Sequence, residues 1–305
     1  MIEQTTCSSR RAFLKNGSIV LAGAAFGDLA GCAALRTDTR TRSRQRIALI
    51  SDVHYAERDP VGTRHYRLSL EKMKTAAAAL GWTSPHLGVQ LGDFIDSGQG
   101  AEDEMEHARR ISAAFSTLGC QVHHVLGNHD LGALSKPEFM SIVGKARSWY
   151  SIDRPGAHLV ILDACFRADG VAYERGNFHW QDTALPPDEL DWLAADLEAA
   201  DRPVIVFTHQ RLDDTASHSV VNASEVRQVL ERSGKVLAVI QGHSHRNAYV
   251  ETNGIHYVVL RAMVDEPALG NNAYALLHVY DDGLLRIDGF GHQASHTLRR
   301  LPQPS

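Results

Sequence analysis

From residue 46 onwards the chain alternates between short apolar runs and amphipathic stretches. Apolar runs that end in polar turns predict strands at 46–51, 86–92 and 121–127. Helical periodicity that stops at or near a glycine predicts helices at 64–80 and 102–118 between them. Strands that alternate with helices in this way are typical of βαβ units, in which the strands run parallel.

The second half of the chain changes from this alternation to a pattern richer in strands. A turn at Pro155 and Gly156 predicts an antiparallel pair formed by 149–153 and 158–163. The pattern then predicts a long loop at 166–186, a helix at 186–200, a strand at 203–209, a helix at 222–233, a strand at 235–243 and a β-meander over roughly 247–290. We therefore expect one α/β domain over 46–298, followed by a short tail at 299–305.

Residues 1–31 have the character of an export signal. Arg10 and Arg11 precede an apolar stretch, an arrangement that resembles a twin-arginine signal. The sequence LAGC, which ends at Cys32, resembles a bacterial lipobox, but Asp28 interrupts the apolar run before it. Lipidation at Cys32, cleavage without a lipid and a plain N-terminal anchor helix are therefore all open. We expect export by the twin-arginine route to the periplasm or cell envelope, with membrane contact only through the signal or a lipid anchor.

Composition and charge narrow the remaining possibilities. Hydrophobic residues make up 44% of the chain and charged residues 22%, as in globular domains. Residues 32–45 are basic and polar, and they predict a solvated tether. The net charge of −5 argues against nucleic-acid binding, since nucleic-acid binders usually carry a basic excess. Cys120 and Cys165 remain within the domain, either as two buried thiols or as one disulfide.

Polar side chains follow five predicted strands, at the point where each strand ends. They are Asp52 and His54 after the first strand, Asp93 and Asp96 after the second, Asn128 and His129 after the third, His209 after 203–207, and His243 and His245 after 235–241. Because the carboxyl ends of parallel strands share one edge of a sheet, these groups can converge on one crevice. Carboxylate, amide and imidazole donors without thiolates suit manganese, zinc or iron, and their number exceeds what one tetrahedral ion needs. The sequence therefore points to two divalent ions.

The ordered motifs D-x-H, G-D-x-x-D, G-N-H-D, a lone histidine and G-H-x-H resemble those of the calcineurin-like metallophosphoesterases over residues 46 to about 292. The resemblance implies a central β-sandwich of mixed sheets flanked by helices, with the site at the C-terminal ends of the strands. It also implies a first metal held by Asp52, His54 and His245, a bridging Asp93, and a second metal held by Asn128, His209 and His243.

The same resemblance implies the chemistry. A hydroxide held between the two ions would attack phosphorus in line with the leaving oxygen. His129 would not bind metal and would face the leaving group, as a proton donor or a charged hydrogen-bond donor. Asp96 would orient His129, with turn capping as the alternative role. Elsewhere in this motif we expect Asp130 to stabilise the turn, and His123 or His124 to be structural or to reach the crevice rim.

The framework segments 62–70, 160–164 and 254–280, together with VHHVLGNHD, resemble more loosely the manganese-dependent ADP-ribose/CDP-alcohol diphosphatases. This implies a small phosphorylated substrate of the nucleotide type, with a pyrophosphate or phosphodiester linkage. Candidate residues for a second phosphate are Arg64, Arg67 and Arg211. In the long loop, the aromatic side chains could stack a base or pack the loop, namely Phe166, Tyr173, Phe178 and Trp180. An exported phosphomonoesterase, a phosphodiesterase acting on lipid head groups or envelope polymers, and a tethered, non-catalytic metal-binding lipoprotein remain the alternatives.

Overall fold

The computed structural model describes residues 13–15, 18–20, 43–213 and 218–299. The chain divides into two compact units, Met1–Arg40 and Thr41–Ser305. In the first unit, strands β1 (Phe13–Lys15) and β2 (Ser18–Val20) pair antiparallel. The remaining residues of the predicted signal, which include Arg10 and Arg11, lie outside the described residues, as does Cys32 after it. Within the described part of the chain, no helix has the length and apolar character needed to cross a membrane.

The second unit begins with three parallel strands connected by helices, as predicted. The elements are β3 (Gln45–Ile50), α1 (Leu68–Gly81), β4 (Leu87–Leu91), α2 (Ala101–Ser116) and β5 (Gln121–Val125). Helix α1 starts later than the predicted residue 64, because Val61 and Arg64 pair across a tight turn before it. This turn fixes Arg64 outside the helix, next to the chain that carries Asp265.

A short helix that the periodicity did not predict follows β5. Helix α3 (Lys136–Val143) starts with a capping box, in which the Ser135 N–H donates to Glu138 Oε2 over 2.8 Å. The sequence signal was Ser135-Lys-Pro-Glu138, a capping residue followed by proline and glutamate. The helix has eight residues, and so short an apolar pattern gives little periodicity to detect.

The middle of the chain builds a second sheet. Its elements are β6 (Tyr150–Arg154), β7 (Ala157–Ile161), α4 (Pro187–Ala199), β8 (Val204–Phe207), α5 (Ala223–Ser233) and β9 (Val236–Gln241). The β6–β7 pair is antiparallel, as predicted, and β7, β8 and β9 run parallel.

The predicted meander is wrong in its pairing. The strands are β10 (Ala248–Thr252), β11 (Ile255–Val259), β12 (Ala273–Val279), β13 (Leu285–Gly291) and β14 (His296–Leu298). β11 lies parallel to β9 in the second sheet, whereas β12 pairs antiparallel with β3 in the first. Every residue of β11 is buried, so this strand takes an internal position with neighbours on both sides.

The two mixed sheets pack face to face and helices cover their outer faces. The first sheet has the order β14-β13-β12-β3-β4-β5 and the second the order β10-β11-β9-β8-β7-β6. In β3, Ile47 and Leu49 pack between the sheets, while Ala48 and Ile50 pack towards α1 and α2. Because β3 is buried on both faces from residue 47 to residue 50, this part of its sequence is apolar throughout instead of alternating. This architecture confirms the predicted β-sandwich of mixed sheets flanked by helices.

Neither cysteine of the second unit forms a disulfide. Cys120 is half-buried, Cys165 is fully buried, and both are free. Of the two alternatives left open by the sequence, free thiols are therefore present. Burial raises the pKa of the Cys165 thiol well above its usual value, which keeps this thiol protonated and unreactive.

Candidate metal centre

The polar side chains predicted at strand ends come together, but at the ends of strands from both sheets. β3, β4 and β5 of the first sheet and β8 and β9 of the second contribute them. Their candidate ligand atoms form two clusters, one of Asp52, His54 and His245 and one of Asp93, His209 and His243. A third group contains His129 together with His54 from the first cluster and Asp93 from the second. We expected these side chains to meet at one edge of a single sheet. They meet instead where the strand ends of two sheets adjoin.

The first cluster contains Asp52, His54 and His245. The Nε2 atoms of His54 and His245 lie 3.1 Å apart, and His245 Nε2 lies 3.6 Å from Asp52 Oδ1. Asp52 is held in place by the backbone N–H of His243, which donates to Oδ1 over 3.1 Å, and by the Ser51 hydroxyl. Burial lowers the pKa of His54 to about 4, so its imidazole is neutral and offers a lone pair.

Asp93 lies between the two clusters. Its Oδ2 atom is 3.4 Å from His54 Nε2 and 3.2 Å from His209 Nε2. Its Oδ1 atom accepts a hydrogen bond from the backbone N–H of His129 over 2.8 Å. Burial opposes ionisation of Asp93, but the surrounding imidazoles, His209 foremost, hold its pKa well below the usual value. A single carboxylate in this position can serve both clusters.

The second cluster combines Asp93 with His209 and His243, and Asn128 comes from the next strand of the first sheet. His209 Nδ1 donates to the carbonyl oxygen of Leu91 over 2.7 Å. Burial opposes protonation, but Asp93 raises the pKa of His209 to about 9, and on losing this proton to a cation the ring would present the Nε2 lone pair. That Nε2 lies 3.1 Å from His243 Nδ1. The Oδ1 atom of Asn128 is buried and has no hydrogen-bond partner.

These features fit divalent cations. In the first cluster, His54 Nδ1 lies 2.9 Å from Asp96 and His245 Nδ1 lies 3.4 Å from Asp265. With Nδ1 as the donor in each ring, the two facing Nε2 atoms are both acceptors, and a cation relieves their repulsion. The orphaned oxygen of Asn128 offers the neutral ligand that a second ion needs. Oxygen and imidazole donors without thiolate suit manganese, zinc or iron.

The backbone under these candidate ligands is strained. Positive φ angles occur at the following five residues: Asp52 (50°), His54 (46°), Asp93 (52°), His243 (69°) and His245 (60°). Residues other than glycine rarely adopt this conformation, and it costs about 1–3 kcal/mol at each position. Sharp local turns of this kind aim consecutive side chains at one point beyond the strand end.

Two glycines allow the strand ends to approach each other closely. A Cβ atom at Gly127 would lie 2.1 Å from the Asp93 nitrogen, and one at Gly242 would lie 2.3 Å from Ser51 Oγ. Either atom would displace the loop that carries a ligand. These glycines are therefore explained by space at the site.

Asp96 connects the first cluster to His129. Its Oδ2 atom is 2.9 Å from His54 Nδ1 and 3.2 Å from His129 Nδ1. Burial opposes ionisation of Asp96, but hydrogen bonds from both imidazoles hold its pKa below the usual range. The His129 side chain is 27% exposed, more than His54 or His209, both of which are fully buried. His129 also lies near enough to His54 and Asp93 to join them around an ion.

The predicted arginines have different surroundings. Arg64 Nη1 lies 3.4 Å from Asp96 Oδ2, beside His129. Arg67 pairs with Asp59 over 2.7 Å and with Glu57, and Arg211 forms a two-pronged pair with Asp213. The structure thus brings Arg64 to Asp96, while Arg67 and Arg211 are engaged by carboxylates of their own.

Two further side chains near the site were missed by sequence reasoning. Arg58 Nη1 lies 3.5 Å from Asp96 Oδ1, on the opposite oxygen from Arg64. Asp265 lies 3.4 Å from His245 Nδ1 and accepts a hydrogen bond from Thr63 Oγ1 over 2.9 Å. Buried Lys72 donates to the backbone carbonyls of Met263 and Glu266 and so fixes the loop around Asp265. Arg58 and Asp265 come from irregular loops and Lys72 from helix α1, so no strand-end motif identified them.

The aromatic residues of the long loop divide into two groups. Tyr173 is fully buried and stacks on Phe178 at a centroid distance of 3.8 Å, which packs the loop onto itself. Phe166 packs against Trp149 and lies under the Lys136 ammonium group. Trp180 is different, because its ring lies 5.5 Å from that of His243 and 5.4 Å from that of His218.

The other polar residues of VHHVLGNHDLG (122–132) lie outside the candidate metal clusters. Asp130 accepts hydrogen bonds from the backbone N–H groups of Phe94 and Gly127, over 2.7 and 2.9 Å, and so has the turn-stabilising role expected of it. His124 packs against Phe94 and Phe115, and His123 Nδ1 lies 2.8 Å from the Tyr150 hydroxyl. Neither histidine belongs to the clusters at the strand ends.

The class of protein follows from this geometry together with a family comparison. Residues 45–247 match the family described as calcineurin-like phosphoesterase. The chain belongs to this family, as its motifs predicted. It is a metal-dependent phosphoester hydrolase of the two-metal type, and the predicted pair of divalent ions is confirmed.

The names of individual relatives specify substrates. Proteins from Danio rerio and Arabidopsis thaliana, both called "Manganese-dependent ADP-ribose/CDP-alcohol diphosphatase", are 24% and 23% identical to this chain. Each alignment covers 78% of this chain, with 93% and 92% of the respective relative. Among solved structures, a dimetal phosphatase from Danio rerio has a TM-score of 0.76 at 22% identity, covering 85% of this chain and 100% of its own. A purple acid phosphatase from yellow lupin seeds has a TM-score of 0.57 at 15% identity, covering 84% of this chain and 54% of its own.

Proposed function

We propose that this protein is a manganese-dependent diphosphatase that hydrolyses the pyrophosphate linkage of small nucleotide derivatives such as ADP-ribose and CDP-alcohols. The observation that carries the proposal is the group of cationic side chains on Asp96. Arg58, Arg64 and His129 meet there, next to the first metal cluster. A substrate with two phosphates needs positive charge beyond the metal ligands, and guanidinium groups match phosphate oxygens well. The curated relatives, which align over most of their length, support the same substrate class.

Each group of residues at the site has a separate role in the proposed reaction. The clusters around Asp93 would hold two divalent ions, which supply an acidified water and neutralise charge on phosphate oxygens. His129 meets the leaving oxygen and donates a proton to it, and Asp96 keeps that imidazole oriented and charged. Arg58 and Arg64 bind the phosphate that leaves, which places the cleaved bond between the metals and the guanidinium groups.

Trp180 is our candidate for contact with the nucleoside part of the substrate. Its ring is half-buried beside His243 and His218, on the side of the second cluster. An aromatic ring in this position offers a stacking surface for a base at little conformational cost. Tyr173 and Phe178 have their faces against each other and serve packing.

Hydrolysis of a matched panel tests the substrate class. With Mn²⁺ we expect ADP-ribose and CDP-choline to have kcat/KM values at least ~10-fold above those of AMP and a nitrophenyl phosphodiester, because charged hydrogen bonds to a second phosphate are each worth roughly 1.5–3 kcal/mol. Arg64→Met should raise KM for ADP-ribose and leave hydrolysis of AMP little changed. Arg67→Met is the matched control, since Arg67 pairs with Asp59. A preference for AMP would instead identify a phosphomonoesterase.

Export by the twin-arginine route is a separate proposal, supported by Arg10, Arg11 and the LAGC sequence that ends at Cys32. In a bacterial host with this pathway, the Arg10→Lys, Arg11→Lys double variant should accumulate in the cytoplasm while the wild-type chain is exported. Cys32→Ala should remain exported and lose any lipid label. Equal export of the double variant and the wild-type chain, measured by cell fractionation, would refute the route.

A further inference from the structure

A loop that follows β11 contacts the first metal cluster. This loop, residues 263–266, lies beside the end of β3, where the Val264 N–H donates to the carbonyl oxygen of Asp52 over 3.1 Å. The next residue, Asp265, places its Oδ1 atom 3.4 Å from His245 Nδ1. The loop therefore contacts the backbone of one candidate ligand and the imidazole ring of another.

The position of this loop is fixed by a buried lysine on α1. Lys72 is fully buried. Its Nζ atom donates to the carbonyl oxygens of Met263 over 2.9 Å and Glu266 over 3.0 Å, and also to that of Asp265. The three acceptors match the three N–H donors of an ammonium group, which a buried lysine has to satisfy. Helix α1 therefore holds the loop through contacts that involve no residue of the metal clusters.

The side chain of Asp265 is oriented by a second segment. The Thr63 hydroxyl donates to Asp265 Oδ1 over 2.9 Å, and the Glu266 N–H donates to the Thr63 carbonyl oxygen over 3.0 Å. Asp265 is 7% exposed, so its carboxylate has little freedom to turn away. A carboxylate oxygen has two lone pairs, so Oδ1 can accept from both Thr63 and His245.

His245 is the candidate ligand of the first cluster that depends most on such a partner. Its side chain is 15% exposed, whereas those of Asp52 and His54 are fully buried, so less packing holds its ring. An imidazole offers a lone pair at one nitrogen when the other carries the proton, and a carboxylate at the second nitrogen selects that form. With Asp265 at Nδ1, the lone pair of Nε2 faces Asp52, whose Oδ1 atom lies 3.6 Å away.

We propose that Asp265 is a positioning residue of the metal centre, which fixes the orientation and tautomer of the His245 ring and strengthens it as a metal ligand. Asp265 belongs to none of the candidate metal clusters and acts through His245. A carboxylate that accepts the second N–H of a ligand imidazole raises its basicity, and loss of such a partner typically lowers metal affinity by about 10–100-fold. The role concerns the metal centre alone and is independent of the substrate proposed above.

Titration of the metal-free full chain with Mn²⁺, followed by the electron paramagnetic resonance signal of free Mn²⁺, tests this role. Asp265→Asn keeps the shape of the side chain and an acceptor for Thr63 but removes the charge, and Asp265→Ala removes the partner of His245. We expect the Kd of at least one Mn²⁺ ion to rise ~10-fold in Asp265→Asn and up to ~100-fold in Asp265→Ala. The Tm of metal-free Asp265→Asn should stay near wild type, and its kcat should recover at saturating Mn²⁺.

Asp288→Asn is the matched control for the loss of one negative charge. Asp288 also pairs with an imidazole, since its Oδ2 atom lies 2.9 Å from His278 Nε2, and it belongs to none of the metal clusters. This variant should bind Mn²⁺ as the wild-type chain does. Equal weakening in Asp288→Asn and Asp265→Asn would reduce the effect to overall charge and overturn the proposal.

A double-mutant cycle separates positioning of His245 from support of the fold. In a His245→Ala background the ring is absent, so adding Asp265→Asn should weaken Mn²⁺ binding no further. An equal further loss in that background would show that Asp265 acts on the structure and not through His245. Wild-type Mn²⁺ affinity in Asp265→Asn would also overturn the proposal, as would a kcat that stays low at saturating Mn²⁺. Asp265→Asn carries each of these tests even where Asp265→Ala does not fold.

Discussion

Asp93→Asn is expected to abolish hydrolysis and to leave fewer than two metal ions bound per chain. Asp93 is the one carboxylate whose oxygen lies within 3.4 Å of imidazole nitrogens from both clusters, His54 Nε2 and His209 Nε2, among the described residues. Asparagine has the same shape, and its oxygen can still accept the N–H of His129, so the fold should be kept. What is lost is the negative charge between two cations. We expect kcat/KM to fall by at least ~10³-fold, or about 4 kcal/mol of transition-state stabilisation.

Metal analysis and calorimetry on the same preparations would check this expectation. Added Mn²⁺ should raise the Tm of the wild-type protein, since a ligand that binds only the folded state stabilises it, and the shift should be smaller in Asp93→Asn. Asp196→Asn is the matched control. Asp196 is a largely buried carboxylate on α4 that is bonded to His158 and Ser151 and belongs to none of the candidate metal clusters. A variant of Asp93 that retained both ions and wild-type activity would remove Asp93 from the centre of the site.

The strand-end residues could be predicted from the sequence because local spacing determines their direction. In Asp52-Val-His54 and His243-Ser-His245, two donors at a spacing of two follow a strand with a run of at least four apolar residues. Burial of both faces makes such strands easy to recognise, and parallel pairing brings their ends together. The sequence did not show that these strand ends belong to two different sheets. That division depends on β11 joining the second sheet and β12 the first, and both are apolar strands that could have paired with each other.

The residues that support the ligands could not be predicted in the same way. Asp265 reaches His245 because the loop before α1 and the loop after β11 lie side by side, held by the ammonium group of Lys72. The hydrogen bond from Lys72 to the Met263 carbonyl joins two segments that are 191 residues apart in the sequence. Within its own helix, Lys72 has the sequence context of any helical lysine. Its complete burial is a tertiary property, and a single sequence has no periodic signal for it.

His129→Gln is expected to keep both metal ions and to lower kcat by about 10²–10⁴-fold, the usual contribution of a positioned proton donor. His129 Nδ1 lies 3.2 Å from Asp96, and its side chain is 27% exposed, so the ring is both oriented and accessible. Glutamine can replace a hydrogen bond but cannot supply a proton. The loss should therefore be largest for substrates with a poor leaving group, and smaller for a nucleotide nitrophenyl ester whose leaving group needs no protonation.

This dependence on the leaving group separates the alternatives for His129. Because His129 also lies near His54 and Asp93, it could instead be a ligand, and metal loss in His129→Gln would indicate that role. An equal loss on all substrates would indicate that the imidazole only positions the phosphate. His158→Gln is the matched control, since His158 is a buried histidine on β7 with two carboxylate partners and no contact with the clusters. Full activity of His129→Gln on ADP-ribose would exclude proton donation by this residue, and the leaving oxygen would then take its proton from solvent.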